Sequence, residues 1–573
     1  MRTPILLYVV ALAVRGILIG VFPDPGYTDA AYYVEVARSI ASGHGLTVDF
    51  VWIFAEMGNR IPADAVLPVP SNGHWLPLAS LVQVPFIWLL GPTALASALP
   101  MALIGSLAAP LTWAIAREVD SRPTVALTAG LLSAIPAAAT VLIVQPDNFA
   151  IFQPLVAATL WLVAKGLKGN SGGFALAGLL AGLAAMGRND GVLLAGTIGL
   201  VWLGDRWRWI RHRQQARAWT VRDLRPPVPV WAAAGAAVLF LMTIGPWWAR
   251  QLAVFGSISP TASSGTALWL RSISEWNSIT AQPSVETFLA QGAGAILESR
   301  LAGLWNTLVI FSAAACGFVL VPLLLLGAFV RRTSPDFVPW FVHVAVLSLG
   351  AAILYPLHIP GGAYLHSAIG LFPHAYVLVI IGVATLFDGS RGAIGRGAGA
   401  TGTTPIGGIA AADGARERSA FRVVAWAAVV FATATAIIFG GPVVERWETA
   451  RNPRIALAAE LERVQIPETD RFLALDVASM AYWTGHPGVV TPNDPIETIQ
   501  AVADAYGIRW LVLERGTSER TGPVPALAPI LRGEARPAWV GPAAFKVAAE
   551  DGGEPLLALY PVCTATGDPR CAP

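Results

Sequence analysis

Apolar runs of about twenty residues recur along most of this chain, and they limit what it can fold into before any single side chain is considered. A helix rises about 1.5 Å per residue, so crossing the hydrocarbon core of a bilayer takes roughly 20 apolar residues. Such runs are read at 4–22, 94–116, 123–143, 148–166, 172–187, 190–204, 230–249, 303–330, 338–355, 369–387 and 421–442. Composition agrees, with 55% of residues hydrophobic and only 13% charged. The expected fold is therefore mostly α, a polytopic transmembrane bundle of about 11 spans. A net charge of +2 says little about partners, and no basic cluster looks suited to nucleic acid. The first run is long for a signal-peptide core and lacks a small-x-small cleavage site, so it is expected to stay as a span.

Charge sets the sidedness. Residues 75–91 are apolar too, but the segment is short and carries Pro77 and Pro85. Arg117, Lys165, Lys168, the run from Arg206 to Arg225, Arg331-Arg332 and the basic residues of 391–422 should all face the cytoplasm. They fall on one side only if 75–91 dips in and returns. The N-terminus is then cytoplasmic and the C-terminus outside. This arrangement gathers polar groups on the outer face: loop 23–93, the turn Gln145-Pro146-Asp147-Asn148, the turn Arg188-Asn189-Asp190, and loop 250–302 with Trp269, Arg271, Glu275 and Trp276. His358 and His366 belong to a further outer loop. A Gly/Ala/Thr-rich stretch, 388–420, reads as a flexible cytoplasmic linker.

Two domains are expected: a membrane module over 1–442 and an outer α/β domain over 443–573. In the latter, 472–475, 510–513, 545–548 and 556–560 look like strands. Asp494-Pro495-Ile496-Glu497 reads as a helix start with Asp494 as N-cap. Asp476 and His486 have no partners at a recognisable spacing, which favours recognition or packing for this domain. Cys563 and Cys571 could pair in an oxidising compartment or stay free; Cys316 lies in an apolar run.

Directly after the first span comes Tyr27-Thr28-Asp29, and a short amphipathic helix follows it to Gly43. Glu35, Arg38, Ser39 and Ser42 share its polar side; Tyr33, Val34, Ala37, Ile40 and Ala41 fill the other. A helix of this pattern is expected to lie along the bilayer surface, holding Asp29 where headgroup meets water. Lipid-linked substrates present their reactive carbon at that depth.

Several short motifs then occur in order: Asp-Ala-Ala-Tyr-Tyr-x-x-x-Ala-Arg-x-x-x-x-Gly from Asp29, His-Trp-Leu-Pro-Leu at 74–78, and Pro-Asp at 146–147. Gly-Leu-Leu-Ala-Gly-Leu-Ala-Ala-Met-Gly-Arg at 178–188 and Pro-Trp-Trp-Ala-Arg-Gln-Leu-Ala-Val-Phe-Gly at 246–256 follow. The series resembles the GT-C superfamily of integral-membrane glycosyltransferases, near the protein-mannosyltransferase and aminoarabinose-transferase branch. The resemblance covers about residues 1–390, and the tail is similar to the outer domains of some members. It implies transfer of a sugar from a polyprenyl-phosphate donor to a glycan, lipid or protein acceptor on the outer face, usually with inversion. Asp29 matches the family's first-loop carboxylate, the general base, and Asp147 the second-loop one. Arg188 is the candidate for the donor phosphate, with His74 and His366 beside it; Glu35, Arg38, Trp269 and Arg271 are candidates for acceptor or loop contacts. Departures are Ala30 where members often have a second acid, Tyr32 in place of an Arg, and Ala363-Tyr364-Leu365-His366 in place of an Arg-Tyr pair.

Plainer roles compete with these. Asp29 and Asp147 could favour helix N-termini, Arg188 could anchor at the interface, and Arg15 inside the first span is expected to be structural. No His/Cys/Asp/Glu grouping has metal-ligand spacing, so no cofactor and no tightly held metal is expected; a divalent cation shared by Asp29 and Asp147 is the alternative. A lipid or sugar transporter would show mid-membrane polar groups and repeats, and a non-catalytic assembly scaffold would not need Asp29. The abundance of Arg, Ala and Gly fits a bacterial inner membrane.

Overall fold

The apolar runs form helices, though not all of them straight. The computed structural model describes residues 2–53, 60–215, 225–258, 268–357, 362–398, 407–516 and 522–563, with only the backbone path over 388–398 and 407–418. Among the described residues six helices are long and apolar enough to cross a membrane, or eight if each of two bent pairs is one span. Three shorter apolar helices, Leu78–Leu90, Ser171–Gly187 and Val338–Leu354, accompany them. The fold is mostly α, as expected, with sheet concentrated in the C-terminal part.

Some expectations need correction. The run 303–330 is two helices, Gly292–Cys316 and Val321–Arg331, bent by 101°. Gly317 and Phe318 adopt φ of 50° and 60°, which ends the first helix in left-handed backbone, and Pro322 opens the second. The run 123–143 bends by 55° at Pro136, between Pro123–Ala134 and a 3-10 helix over Ala137–Val144. The linker 388–420 is helical on both sides, in Phe372–Ala398 and Gly407–Arg463, with 399–406 outside the described residues. Alanine at this density favours helix over open coil. The second of these helices continues through Pro442 and Pro453, so the expected boundary at 443 falls inside one element.

Small residues let the helices approach closely. A Cβ at Gly178 would collide with the Ala236 backbone, and Gly327 and Gly382 meet the backbone of Leu378 and Leu323 reciprocally. Arg15 is fully buried and donates to the carbonyls of Ala11 at 3.2 Å, Gly105 at 3.1 Å and Ala134 at 3.5 Å. Gly105 and Ala134 end their helices, where carbonyls lack intrahelical donors. Its role is structural.

The C-terminal part, with one strand from the first loop, is built on a six-stranded sheet in the order β2-β5-β4-β6-β8-β7. β4 (Arg471–Ala474) runs parallel to its two neighbours β5 (Gly488–Val490) and β6 (Ile508–Glu514), while β8 (Leu557–Pro561) is antiparallel to β6 and β7 (Phe545–Val547) is antiparallel to β8. The edge strand β2 is Phe50–Val51, from the first loop, paired in parallel with β5. β1 (Thr47–Val48) and β3 (Val69–Pro70) form a separate two-stranded ladder. Asp494 is not the N-cap of the helix Ile496–Ala505: Pro495 holds that position. The Asp494 carboxylate instead accepts from Ser278, Ile279 and Thr280, at 2.5–3.1 Å. The 278–280 loop supplies donors to both carboxylate oxygens, which its own helix end does not. Cys563 is disulfide-bonded, Cys316 is free and buried, and Cys571 lies outside the described residues.

The first-loop helix, Thr28–Ala41, is covered on both faces rather than lying half-exposed on a surface. Tyr32, Tyr33, Val34, Val36 and Ala37 are all buried. It packs against the broken segments Leu78–Leu81 and Val84–Leu90 and against the C-terminal helix Val477–Thr484. The two broken segments span too little rise to cross a bilayer.

Gly382→Val would push a side chain into the Leu323 carbonyl across a closely packed helix pair. We expect a loss of about 1–3 kcal/mol or more, read as a lower melting temperature of the purified protein in detergent.

Candidate active site

Asp29 sits where the first loop folds back onto the 145–148 turn. The Gly26 amide donates to Gln145 Oε1 at 2.7 Å, and Gln145 Nε2 to the Asp24 carbonyl at 3.4 Å. Tyr27 then donates its hydroxyl to Asp147 Oδ2 at 2.6 Å. These bonds fix the path into the helix that starts at Thr28, leaving Asp29 in its first turn, where the free amides favour a carboxylate. The Trp75 indole donates to Asp29. Asp147, 0% exposed, lies in the turn between Ala137–Val144 and the helix Phe149–Leu167, and its Oδ1 accepts from the Asn148 amide.

His366 completes the group. Its ring stacks on Phe149 with centroids 3.8 Å apart, and Nδ1 lies 3.0 Å from Asn148 Oδ1 and 3.6 Å from Asp147 Oδ2. Asp29, Asp147 and His366 each offer one ligand atom within 4.8 Å of the others. Carboxylates and imidazole suit a divalent cation. Tyr27 and Asn148 each donate one hydrogen bond to an Asp147 oxygen, and each of those oxygens keeps a second lone pair.

Electrostatics follow from the packing. Burial pushes the Asp29 carboxyl above the ordinary range, and the Asp147 charge pushes it further; the Trp75 hydrogen bond and Arg188 pull against this. Burial also raises Asp147, opposed by the Tyr27 and Asn148 hydrogen bonds and by Arg188. Two like charges in a poorly solvated site hold a proton that either alone would release.

Arg188 caps the end of Ser171–Gly187. Its Nε donates to Asp190 at 2.9 Å and its Nη2 to the Ala363 carbonyl at 3.1 Å, while Ser367 donates to Asp190. The 188–191 turn is thereby tied to the segment that bears His366. His74 stands edge-on to Trp75 and Trp276, at 4.9 and 5.3 Å. Burial, with Arg188 nearby, pushes its pKa down to about 4, so it is a neutral group and not a cation.

The remaining candidates make contacts within the protein. Arg38 pairs with Glu35 at 2.8 Å, donates to the Pro92 carbonyl at 3.0 Å and lies over the Tyr482 ring of the C-terminal part. Arg271 pairs with Glu275 at 2.5 Å within its own loop, and Trp269 packs edge-on to Phe288. His358 lies outside the described residues. Sequence reasoning missed Tyr27, Gln145, Asn148 and Trp75 as site residues. Their only signal was adjacency to Asp29, Asp147 and His74.

A family model described as dolichyl-phosphate-mannose-protein mannosyltransferase matches residues 73–221. That stretch holds His74, Asp147 and Arg188 but neither Asp29 nor His366. Among solved structures, ArnT from Cupriavidus metallidurans bound to undecaprenyl phosphate is similar with a TM-score of 0.55 and 14% identity, over 99% of each chain. Its apo state is similar with a TM-score of 0.54 and 16% identity, over 97% of each chain. No curated protein sequence matches.

Because the folded-state pKa of Asp29 is raised, the folded protein binds more protons than the unfolded chain, and stability falls as pH rises from the ordinary carboxylate range toward that raised value. Asp29→Asn removes the buried charge and should melt higher than wild type at neutral pH, by roughly a few degrees. The gap should close on acidification toward pH ~4, as followed by thermal unfolding at a series of pH values.

Proposed function

We propose that this chain, an integral membrane protein with the fold of the GT-C glycosyltransferases, moves a sugar from a polyprenyl-phosphate donor to an acceptor on the outer face, with inversion. The observation that carries this reading is the pairing of Asp29 with Asp147 beside Arg188 and His366, at a loop junction and not within a span. ArnT, with the same fold over its whole length, holds undecaprenyl phosphate in one of its structures.

In the proposed step the acceptor hydroxyl gives its proton to Asp29 while its oxygen bonds to the anomeric carbon. The bond from that carbon to the phosphate oxygen breaks, and its electron pair leaves with the lipid phosphate. A glycosyl phosphate already carries a good leaving group, so a base and a cation meet the main demands. The raised proton affinity of Asp29 brings its basicity closer to working pH. Asp147 supports that affinity by its charge and, through Tyr27, holds the segment in place. Arg188, oriented by Asp190, is assigned to the phosphate oxygens. Neutral His74 fits a hydrogen-bonding contact better than charge neutralisation. No cofactor is assigned; a divalent cation among Asp29, Asp147 and His366 is the competing arrangement.

The test is transfer of label from a panel of polyprenyl-phosphate sugars to crude membrane acceptor. Asp29→Asn should lower kcat about 10²- to 10⁴-fold. Arg188→Ala should raise donor KM by roughly ten- to a hundredfold, the worth of a charge-assisted hydrogen bond. Activity should survive EDTA; loss restored by added Mg²⁺ or Mn²⁺ would assign the cation instead. Wild-type-level transfer by Asp29→Asn would remove the base assignment.

We further assign the chain to a bacterial inner membrane with its N-terminus in the cytoplasm. Single cysteines replacing Ser272 and Arg532, both exposed, should react with an impermeant maleimide from outside. Cysteines replacing the exposed Arg208 and Arg332 should react only after lysis; the reverse pattern would invert the topology.

A further inference from the structure

The segment bearing Asp29 is gripped by the C-terminal part of the chain as well as by the 145–148 turn. Thr28, the first residue of its helix, donates Oγ1 to Asp476 Oδ1 at 2.8 Å. Asp476 Oδ2 lies 3.0 Å from Nη2 of Arg454, a buried residue of the long helix Gly407–Arg463. Arg454 in turn gives Nε and Nη2 to Glu514, at 2.7 and 2.9 Å. A continuous polar chain therefore runs from the residue before Asp29, through the outer domain, to the end of β6.

Neighbouring contacts act in the same direction. Tyr482 donates to Asp24 at 3.2 Å, and Arg451 pairs with Asp24 at 3.6 Å. Trp447 packs so closely on Gly26 that any Cβ there would meet its ring. Asp476 also accepts from the Ser479 amide at 3.3 Å, capping the helix Val477–Thr484. Capping needs one acceptor oxygen; it does not call for a buried arginine on the other, nor for a hydroxyl from a helix 448 residues away.

We propose that Asp476 is a positioning residue for Asp29: by holding Thr28 it fixes the first turn of the first-loop helix and so the direction in which the Asp29 carboxylate is presented. The role in transfer rests on the function proposed above; the clamp itself does not. The ionisable groups around Asp29 are Asp147, Tyr27, Tyr33, His366, Arg188 and Asp476. The Asp476 charge adds to the upward push on Asp29.

Two variants of the full-length protein separate bond from charge. Thr28→Val removes the hydroxyl and keeps the Arg454–Asp476 pair. Asp476→Asn keeps an acceptor for Thr28 and removes the negative charge. Each is compared with wild type by backbone hydrogen exchange over residues 22–41 and by kcat, donor KM and pH profile in the transfer assay. For Thr28→Val we expect faster exchange in the first turns of the helix and a kcat lower by roughly 10- to 100-fold at nearly unchanged donor KM. For Asp476→Asn we expect the acid limb of the profile to move to lower pH, since a lost negative charge makes Asp29 easier to ionise. Unchanged exchange with unchanged kcat and acid limb would overturn the proposal. So would a fall in melting temperature and active fraction with no kcat change per active molecule and no shift of the limb. Faster exchange in a chain whose wild type transfers nothing would support the clamp and overturn the transferase reading alone.

Discussion

The hydrogen bond from Tyr27 to Asp147 is the contact on which the rest of the site depends. It joins the loop after the first helix to the turn before Phe149–Leu167, two stretches with no local reason to meet. A hydrogen bond to a charged group contributes about 1.5–3 kcal/mol, yet here it draws one carboxylate toward another. Burial and repulsion raise the proton affinity of Asp29, and only the Trp75 bond and the Arg188 charge oppose this. An arrangement that lowers stability locally and is held by contacts on every side is what a working site requires.

Those contacts come from two layers. Below, the helices supply the 145–148 turn, the Arg188 turn and the segment with His366. Above, the sheet domain supplies Asp476, Tyr482 and the neighbours of β2. Backbone groups inside a bilayer must be satisfied within the protein, and Arg15 illustrates how strictly, spending a buried guanidinium on the ends of two helices. Asp29 lies at the seam between the two layers, held from both sides.

Much of the bundle was legible because apolar periodicity is local. So were the turns at 145–148 and 188–190, since Pro, Asp and Asn announce themselves between apolar runs. What could not be read depends on distant partners. Phe50–Val51 is too short to stand out as a strand and becomes one only beside β5. Asp494 has every local mark of a cap, yet the 278–280 loop offers its carboxylate more donors. Asp476 seemed partnerless because its partners, Thr28 and Arg454, lie at no recognisable spacing from it. The 303–330 run kept its hydrophobicity through a 101° bend, and only the conformation at Gly317 and Phe318 reveals the break.

On the transferase reading, the paired carboxylates resolve an electrostatic difficulty. A lipid-phosphate donor is an anion, and two ionised carboxylates beside one arginine would repel it. Arg188 is itself partly neutralised by Asp190. Raised proton affinity lowers the resting negative charge, because the pair retains a proton over a range where isolated carboxylates would have none. The same shift makes Asp29 a stronger base once ionised. Admission of the anion and abstraction of the acceptor proton then stem from one physical cause, the burial of Asp29 next to Asp147. A site with a single exposed aspartate would meet the first demand and fail the second.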